Sequence, residues 1–530
     1  MRAHETVDGV VIGAGPNGLV AANALVDAGW DVAVLETNDV VGGAVRSAEV
    51  TAPGFSSDLF SSFYPLAAGS PVIRDLDLAD HGLVWRHAPA VLAHALPDGR
   101  DAVLSRSPDE TAANLDRFAP GDGEAWLAMC ADWQRVRDPL LDALFTPFPP
   151  VTSGVRLLRK LGTAGALDFA RLAVMPVRRL GEEQFGGDGG RLLLTGNAMH
   201  ADVAPSAAGS GILGWLMSML AQDVGFPVPQ GGAQAFADAL AGRIRAGGGV
   251  VRTGSRVTSV EVREGRAVGV RLADGSTLAA RRAVLADVAA PVLYRDLIDE
   301  VHLPRGIAER LDRFQWDDAT LKLNWALRQP LGWRAGGAVG AGTVHLGVDL
   351  DGFVDFAADL TVGRMPRTPF ILLGQMTTAD PTRSPAGTES VWAYTHLPRS
   401  RAQEADAIEE HVRRVEDVIE EHAPGFRSSI LARHVQTPTE LEGADANLSV
   451  GAVNAGTSSI HQQLIFRPFP GLGRPETPIP GLFLAGASAH PGGGVHGACG
   501  WNAARAALGS NGAVRRRLLR SAWGRVLPRG

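Results

Sequence analysis

The apolar run Val10-Val11-Ile12 leads into a glycine-rich stretch, and apolar residues then recur at helical spacing. Asp8 to Ile12 is short and β-branched, as a buried parallel strand is. Gly13-Ala14-Gly15-Pro16-Asn17-Gly18 follows at once, Leu19 to Ala28 has helical spacing, and Gly29 ends it. Asp31 to Leu35 is a second strand that finishes on Glu36. The pattern predicts a strand-helix-strand unit. Val250-Val251, Ser255 to Val262, Ala267 to Leu272 and Ala283 to Asp287 also read as strands, with a turn at Asp274-Gly275. Residues 108–225 are largely helical by periodicity, whereas 318–328 and 388–397 look like strands. Near the far end, Pro480 to Gly486 is a turn, a hydrophobic strand and a glycine. Ala487 to Gly500 is glycine-rich, and Trp501 to Leu508 is helical. Gly186-Gly187-Asp188-Gly189-Gly190 has no strand before it and no helical pattern after it, so it is expected to be a loop.

The first unit has the chemistry of a dinucleotide site. Gly13 permits the tight turn, Gly15 lets backbone approach a pyrophosphate, and Gly18 lets helix and strand pack closely. Pro16 and Asn17 open the helix, whose first-turn N–H groups and dipole favour phosphate. Glu36 can accept both hydroxyls of a ribose, and an acid there argues against a 2′-phosphate. FAD and NAD both remain open at this point. Val40-Val41-Gly42-Gly43 comes soon after, with Arg46 just beyond. The glycine pair lets a second backbone segment approach the diphosphate, and an Arg nearby can neutralise charge.

Composition narrows the classes. A chain of 530 residues exceeds a single core, so two lobes are expected, and 45% apolar residues can fill them. The net charge of −7 gives no general attraction for nucleic acid. Cys130 and Cys499 are too few for a disulfide framework or a zinc ribbon, so no metal site and a cytoplasmic setting are expected. No run of about 18 apolar residues appears, and the polar start carries no signal peptide. Val514 to Leu527 is basic with interleaved apolar residues. It reads either as a peripheral contact with the inner membrane face or as a surface-packed tail. Leu157 to Leu180 is also basic and apolar, suiting a lid helix or a second membrane contact.

Gly13-x-Gly15-x-x-Gly18, Glu36, Gly42-Gly43 and the closing Gly481-Leu482-Phe483-Leu484-Ala485-Gly486, His490-Pro491-Gly492-Gly493-Gly494-Val495 and Gly497-Ala498 resemble the phytoene-dehydrogenase-like flavoproteins. These are a branch of the flavin amine oxidase superfamily. The resemblance implies FAD as cofactor. It implies an α/β fold, with a Rossmann-type FAD-binding domain and a discontinuous α+β substrate domain. The FAD-binding domain would be built from 1–80, 228–298 and 440–512, the substrate domain from 81–227 and 299–439, and 513–530 would be a basic tail. Val257 would meet the adenine through its backbone, while Gly486, Gly494 and Val495 would lie at the flavin. Many relatives have Gly-Gly-Arg where Ala44 follows Gly43 here, which leaves two readings of Arg46, with and without the phosphate role. There is no second dinucleotide fingerprint, which argues against the disulfide-reductase type of flavoenzyme.

Lys322 stands out because Lys160 is the only other lysine. The strand around it resembles the one whose lysine holds a water against flavin N5 in flavin amine oxidases. A fixed ammonium there would stabilise negative charge as oxygen accepts an electron. His490 and His496 flank the closing glycine loop and suit proton transfer or loop hydrogen bonding, and His200 is a further proton-transfer candidate. Ser61, Ser62, Phe63 and Tyr64 are candidates for the flavin face, and Cys499 reads as a buried structural thiol. The expected activity is hydride transfer from an apolar, isoprenoid or lipid substrate to flavin N5, with reoxidation by oxygen or a quinone. Amine oxidation is the first alternative. A non-catalytic flavoprotein or lipid-binding interaction protein is the alternative of another class.

Overall fold

The computed structural model describes residues 5–471 and 473–509, organised around two seven-stranded sheets. In the first, Glu5–Ile12 pairs in parallel with Val32–Leu35 and Thr277–Ala286. Val250–Arg252 extends one side, and Leu482–Leu484 joins Thr277–Ala286 on the other. Val257–Arg263 and Arg266–Leu272 complete an antiparallel ribbon. Helix Pro16–Asp27 starts with proline at its first turn, a position where the missing N–H costs nothing. It packs with Ala233–Ala246 and Ala498–Leu508, so the first and last described helices meet on one face of this sheet.

The second sheet runs in the order Ile430–Gln436, Ala319–Leu327, Glu389–Leu397, Ile371–Gln375, Ala341–Leu346, Ala90–Ala95, Asp101–Leu104. Pleating sends alternate residues to opposite faces. Leu321, Leu323 and Trp325 enter a core shared with Ile408, Val412, Val415 and Ile419 of helix Ala405–His422. Thr320, Lys322 and Asn324 point the other way and are buried as well. That second face carries the polar groups of the site.

Six helices lie between Pro108 and Val224, of which Pro108–Leu115 packs on strand Asp101–Leu104 of the second sheet and Asp188–Met199 on Asp101–Leu104 and Ala90–Ala95. Contrary to the expected loop, Asp188-Gly189-Gly190 is the first turn of helix Asp188–Met199. The glycines are there for packing: a Cβ at Gly189 would lie 2.6 Å from the Phe118 ring, and one at Gly190 2.6 Å from Phe185. Asp122 accepts the N–H groups of Gly186 and Gly187. Residues 514–527, read from the sequence as a membrane contact or tail, lie outside the described residues.

Candidate functional site

A cavity of about 980 Å³ runs from the N-terminal glycine loop to the polar face of the second sheet. Gly13, Gly15, Pro16, Asn17, Glu36, Gly43 and Val257 line one end. Lys322, Trp392, Tyr394 and His200 line the other, and His490, Gly494 and Val495 also border it. Ser61, Ser62, Phe63 and Tyr64 are all in its wall.

At the loop end, close backbone approach is built in. A Cβ at Gly13 would lie 2.7 Å from the Asp287 carbonyl, one at Gly15 2.7 Å from the Asp287 carboxylate, and one at Gly18 2.3 Å from the Gly13 carbonyl. Gly42 donates its N–H to the Ala14 carbonyl, and a Cβ at Gly43 would meet Gly15 Cα at 3.0 Å. The second glycine pair therefore packs directly on the first loop. Glu36 accepts the N–H groups of Ala14 and Asn38, each at 2.8 Å, which fixes its carboxylate at the strand end. Asn17 Oδ1 is buried without a partner in the protein and borders this space. Bare glycine backbone, a helix start with no cap from its own N-cap residue and an unpartnered buried polar atom fit a dinucleotide diphosphate.

Arg46 is not among the lining residues. Its guanidinium donates to the carbonyls of Gly43 and Ala444 and lies 5.0 Å over the Phe60 ring. It fastens the Gly42-Gly43 turn from behind, away from the position expected for phosphate neutralisation. Gly18, Gly42 and Gly486 likewise shape the walls through packing and do not border the space. A Cβ at Gly486 would meet the Val288 carbonyl at 2.7 Å. In sequence Asp287 carries no mark of a site residue, since it reads only as the last residue of a strand. Its carboxyl accepts the Gly18 N–H at 2.7 Å, and burial, with Asp445 and Glu36 nearby, raises its pKa to about 7. A carboxyl that holds its proton near neutrality tolerates a neighbouring diphosphate better than a fixed anion does.

The closing loop is held by side chains. His496 Nδ1 accepts the Ala498 N–H at 3.0 Å, so its Nε2–H donates to the Gly492 carbonyl at 3.2 Å. Burial lowers the pKa of His496 to about 4, keeping the ring neutral for this role. His490 Nε2 donates to the Thr146 carbonyl at 3.1 Å, its Nδ1 is buried without a protein partner, and burial lowers its pKa to about 4. Behind the loop, the buried guanidinium of Arg467 donates to the carbonyls of Asn454, Thr457 and Ala487. Nothing in the sequence pattern marks that residue. Cys499 donates to the carbonyls of Ala489 and Gly492, and burial pushes its thiol up to about 12, so it is a structural thiol.

At the other end, register sets the site. Lys322 stands opposite Tyr394, Tyr394 opposite Leu372, Leu372 opposite His345, and His345 opposite His94. The ammonium of Lys322 donates to the Phe60 carbonyl at 2.6 Å and sits 4.6 Å over the Trp392 ring. Burial lowers its pKa to about 7, partly offset by Asp58. Asp58 is itself held by Arg383 at 2.7 Å, both fully buried. His200 faces the cavity with Nε2 2.7 Å from His345 Nε2. Asp202, two residues on, pairs with His396 at 2.6 Å and accepts from Asn454. That carboxylate raises His396 to about 9, overcoming the effect of burial.

Comparison with known proteins agrees with this geometry. Residues 17–508 match the model of the flavin containing amine oxidoreductases. The chain is 32% identical to the Mus musculus protein named pyridine nucleotide-disulfide oxidoreductase domain-containing protein 2, covering 95% of this chain and 93% of that one. It is 27% identical to the neurosporene-forming phytoene desaturase of Rhodobacter capsulatus, covering 92% of this chain and 90% of the other. Cyclohexylamine oxidase from Brevibacterium oxydans shares the fold, with TM-score 0.59 at 18% identity over 94% of this chain and 98% of its own. The matched span runs from Asn17 of the glycine loop to Leu508 of the helix beside it, and takes in the cavity wall from Asn17 onward. The chain belongs to the flavin containing amine oxidoreductase family and is an FAD-dependent oxidoreductase.

Proposed function

We propose that the protein removes a hydride from a C–H bond of an apolar, isoprenoid- or lipid-like substrate and passes the electrons to oxygen or a quinone. The observation that carries this is the wall of the cavity beyond the glycine loops. Leu140, Leu144, Ile212, Leu216, Met217 and Phe226 face it, so it suits a molecule with few polar groups. FAD supplies the two-electron chemistry, and the protein supplies shape, exclusion of water and placed polar groups. In this reading Glu36, Gly13, Gly15, Pro16, Asn17, Gly43 and Val257 hold the nucleotide, and Gly494 and Val495 border the flavin. Lys322 serves reoxidation. His490 and His200 are the candidates for proton transfer.

Amine oxidation is the second reading, favoured by the aromatic pair Trp392 and Tyr394, whose rings stack at 5.9 Å beside Lys322. Charge disfavours it. Asp58 and Asp202, the carboxylates nearest this end, are taken by Arg383 and His396, leaving an ammonium substrate without a counter-ion. Mixing the purified yellow protein anaerobically with isoprenoid, lipid and amine pools decides between them. Bleaching by an isoprenoid or lipid is the expected result. Bleaching by amines alone would replace this reading with the second, and bleaching by none would favour a non-catalytic flavoprotein or lipid-binding protein.

An apolar substrate brings a membrane contact into the proposal. No helix among the described residues is long and apolar enough to cross a membrane. Helix Val151–Val174 exposes Val151, Leu158 and Leu167 among Arg156, Arg159 and Lys160, and Ala173 near its end lines the cavity. This helix, with 514–527, suits an anionic bilayer surface. Flotation with anionic liposomes should carry the full chain upward. A chain cut after Ala513 that no longer floats would assign the contact to the tail. A full chain that stays at the bottom would remove it.

A further inference from the structure

We propose that the cavity ends in a polar subsite, formed by His200 and Thr343, that takes a hydroxyl or carbonyl oxygen on an otherwise apolar substrate. The inference rests on the apolar-substrate reading above and adds to it where the polar group of that substrate lies.

The row Lys322, Tyr394, Leu372, His345, His94 crosses five adjacent strands on one face of the sheet. Lys322 and His345 are three strand steps apart, roughly 14 Å at about 4.8 Å per step. Between them the floor is apolar Leu372, with Trp392, Phe63 and Phe226 alongside. The two ends of this floor are therefore chemically distinct. One carries the buried ammonium, and the other carries imidazole and hydroxyl.

The imidazole end is assembled with care. His345 is fully buried, and its Nδ1 lies so close to Gly196 that a Cβ there would approach it to 2.3 Å. Its Nε2 is 2.7 Å from His200 Nε2, so one ring donates and the other accepts. His94, the next member of the row, directs its own Nε2–H to the Val348 carbonyl. The His200 ring also packs on Phe226 at 5.7 Å, which leaves its remaining edge for the cavity it lines. Burial lowers His200 to about 3 and His345 further below its ordinary range, so both stay neutral.

Thr343 lies two residues before His345 on the same strand and therefore on the same face. Its hydroxyl is buried, has no partner in the protein and belongs to a residue of the cavity wall. A buried hydroxyl left unpaired is unfavourable, and a ligand oxygen would satisfy it. The charge balance selects the ligand class. The neutral imidazole pair offers no cation to a carboxylate. Asp202, the nearby carboxylate, is paired with protonated His396 and offers none to an ammonium. What remains is recognition of a neutral oxygen by neutral groups.

Farnesol and farnesene share a carbon skeleton and differ in one hydroxyl, so they test the subsite directly. Each would be titrated anaerobically into the holoenzyme and into His200→Phe/Thr343→Val, with the flavin absorbance change as the reading. The native protein should bind farnesol about tenfold more tightly than farnesene, the scale of one buried hydrogen bond. The double variant should bring the two to parity while keeping its FAD content. The near-isosteric Thr343→Val alone should lose about threefold on farnesol only, which serves if the double variant folds poorly. Equal binding of the two ligands by the native protein, or a preference that survives the double variant, overturns the subsite and leaves the apolar-substrate reading standing. If neither ligand perturbs the flavin, that reading fails and the subsite fails with it.

Discussion

Replacing Gly500 with alanine should yield a protein that is nearly colourless and markedly less stable. Helix Ala498–Leu508 crosses helix Pro16–Asp27 at this residue, where a Cβ would lie 1.8 Å from the Asn17 carbonyl oxygen and 2.6 Å from its carbon. Those atoms are backbone and cannot rotate away, so the helices must separate. Asn17 belongs to the first turn proposed above to present N–H groups to the FAD diphosphate, and the residues before Gly500 form the closing loop. One methyl group would thus disturb at once both loops assigned to FAD in the proposed reading. Overpacking of a tight core costs about 1–3 kcal/mol and more where backbone must move. This crossing should lie at the upper end. Visible flavin absorbance per mole of protein, together with the thermal midpoint, would show it. Gly242→Ala is the control: it lies in helix Ala233–Ala246 with nothing within 4 Å of an added Cβ, and should hold or slightly raise the midpoint. Full flavin content and an unchanged midpoint in Gly500→Ala would mean that the two helices can part at this crossing without disturbing the site.

That crossing also shows what a linear chain can and cannot disclose. The loop Gly13 to Gly18 is legible because phosphate binding demands glycines at fixed spacing between a strand and a helix, all of them neighbours in sequence. Strand Ala319–Leu327 is legible because the pleat imposes alternation. The contact of Gly500 with Asn17 is a long-range fact with no local signature. The same holds for Lys322 beside Tyr394, for His200 against His345, and for the Asp287 carboxylate on the Gly18 N–H. Each depends on strand order and register that only the assembled sheets define. The misreading of Gly189 and Gly190 has a related cause. Glycine disfavours a helix locally, yet here it makes room for Phe118 and Phe185, and tertiary packing outweighs propensity. Arg46 lies close in sequence to the Gly42-Gly43 turn. Its guanidinium turns to the Gly43 and Ala444 carbonyls, a choice of direction that spacing does not encode.

Lys322→Met should keep FAD and lose fast reoxidation by oxygen. The side chain is 3% exposed, its ammonium is held by the Phe60 carbonyl and the Trp392 face, and the nearest carboxylate is already paired with Arg383. Such a group works against the fold. Its folded pKa, about 7, lies below the ordinary value of 10.5, so the native state holds fewer protons than the unfolded state between those limits. Stability attributable to Lys322 therefore rises with pH across that window, and the residue is costliest in the acidic half of the range. Methionine fills similar volume without charge, so the thermal midpoint at neutral pH should hold or rise. In the proposed reading the lysine contributes a buried cation that stabilises negative charge on oxygen as the electron arrives. Stopped-flow mixing of the reduced variant with oxygen should show a rate lower by about 10²-fold, the scale for removing one placed electrostatic stabiliser. In the native protein the same rate should fall as pH rises through about 7, where the ammonium loses its proton. An unchanged rate in Lys322→Met, or a native rate flat across that range, would leave the lysine as a buried charge without a part in reoxidation. A slower rate accompanied by a higher midpoint would show that the chain keeps Lys322 at the expense of stability because the chemistry requires it.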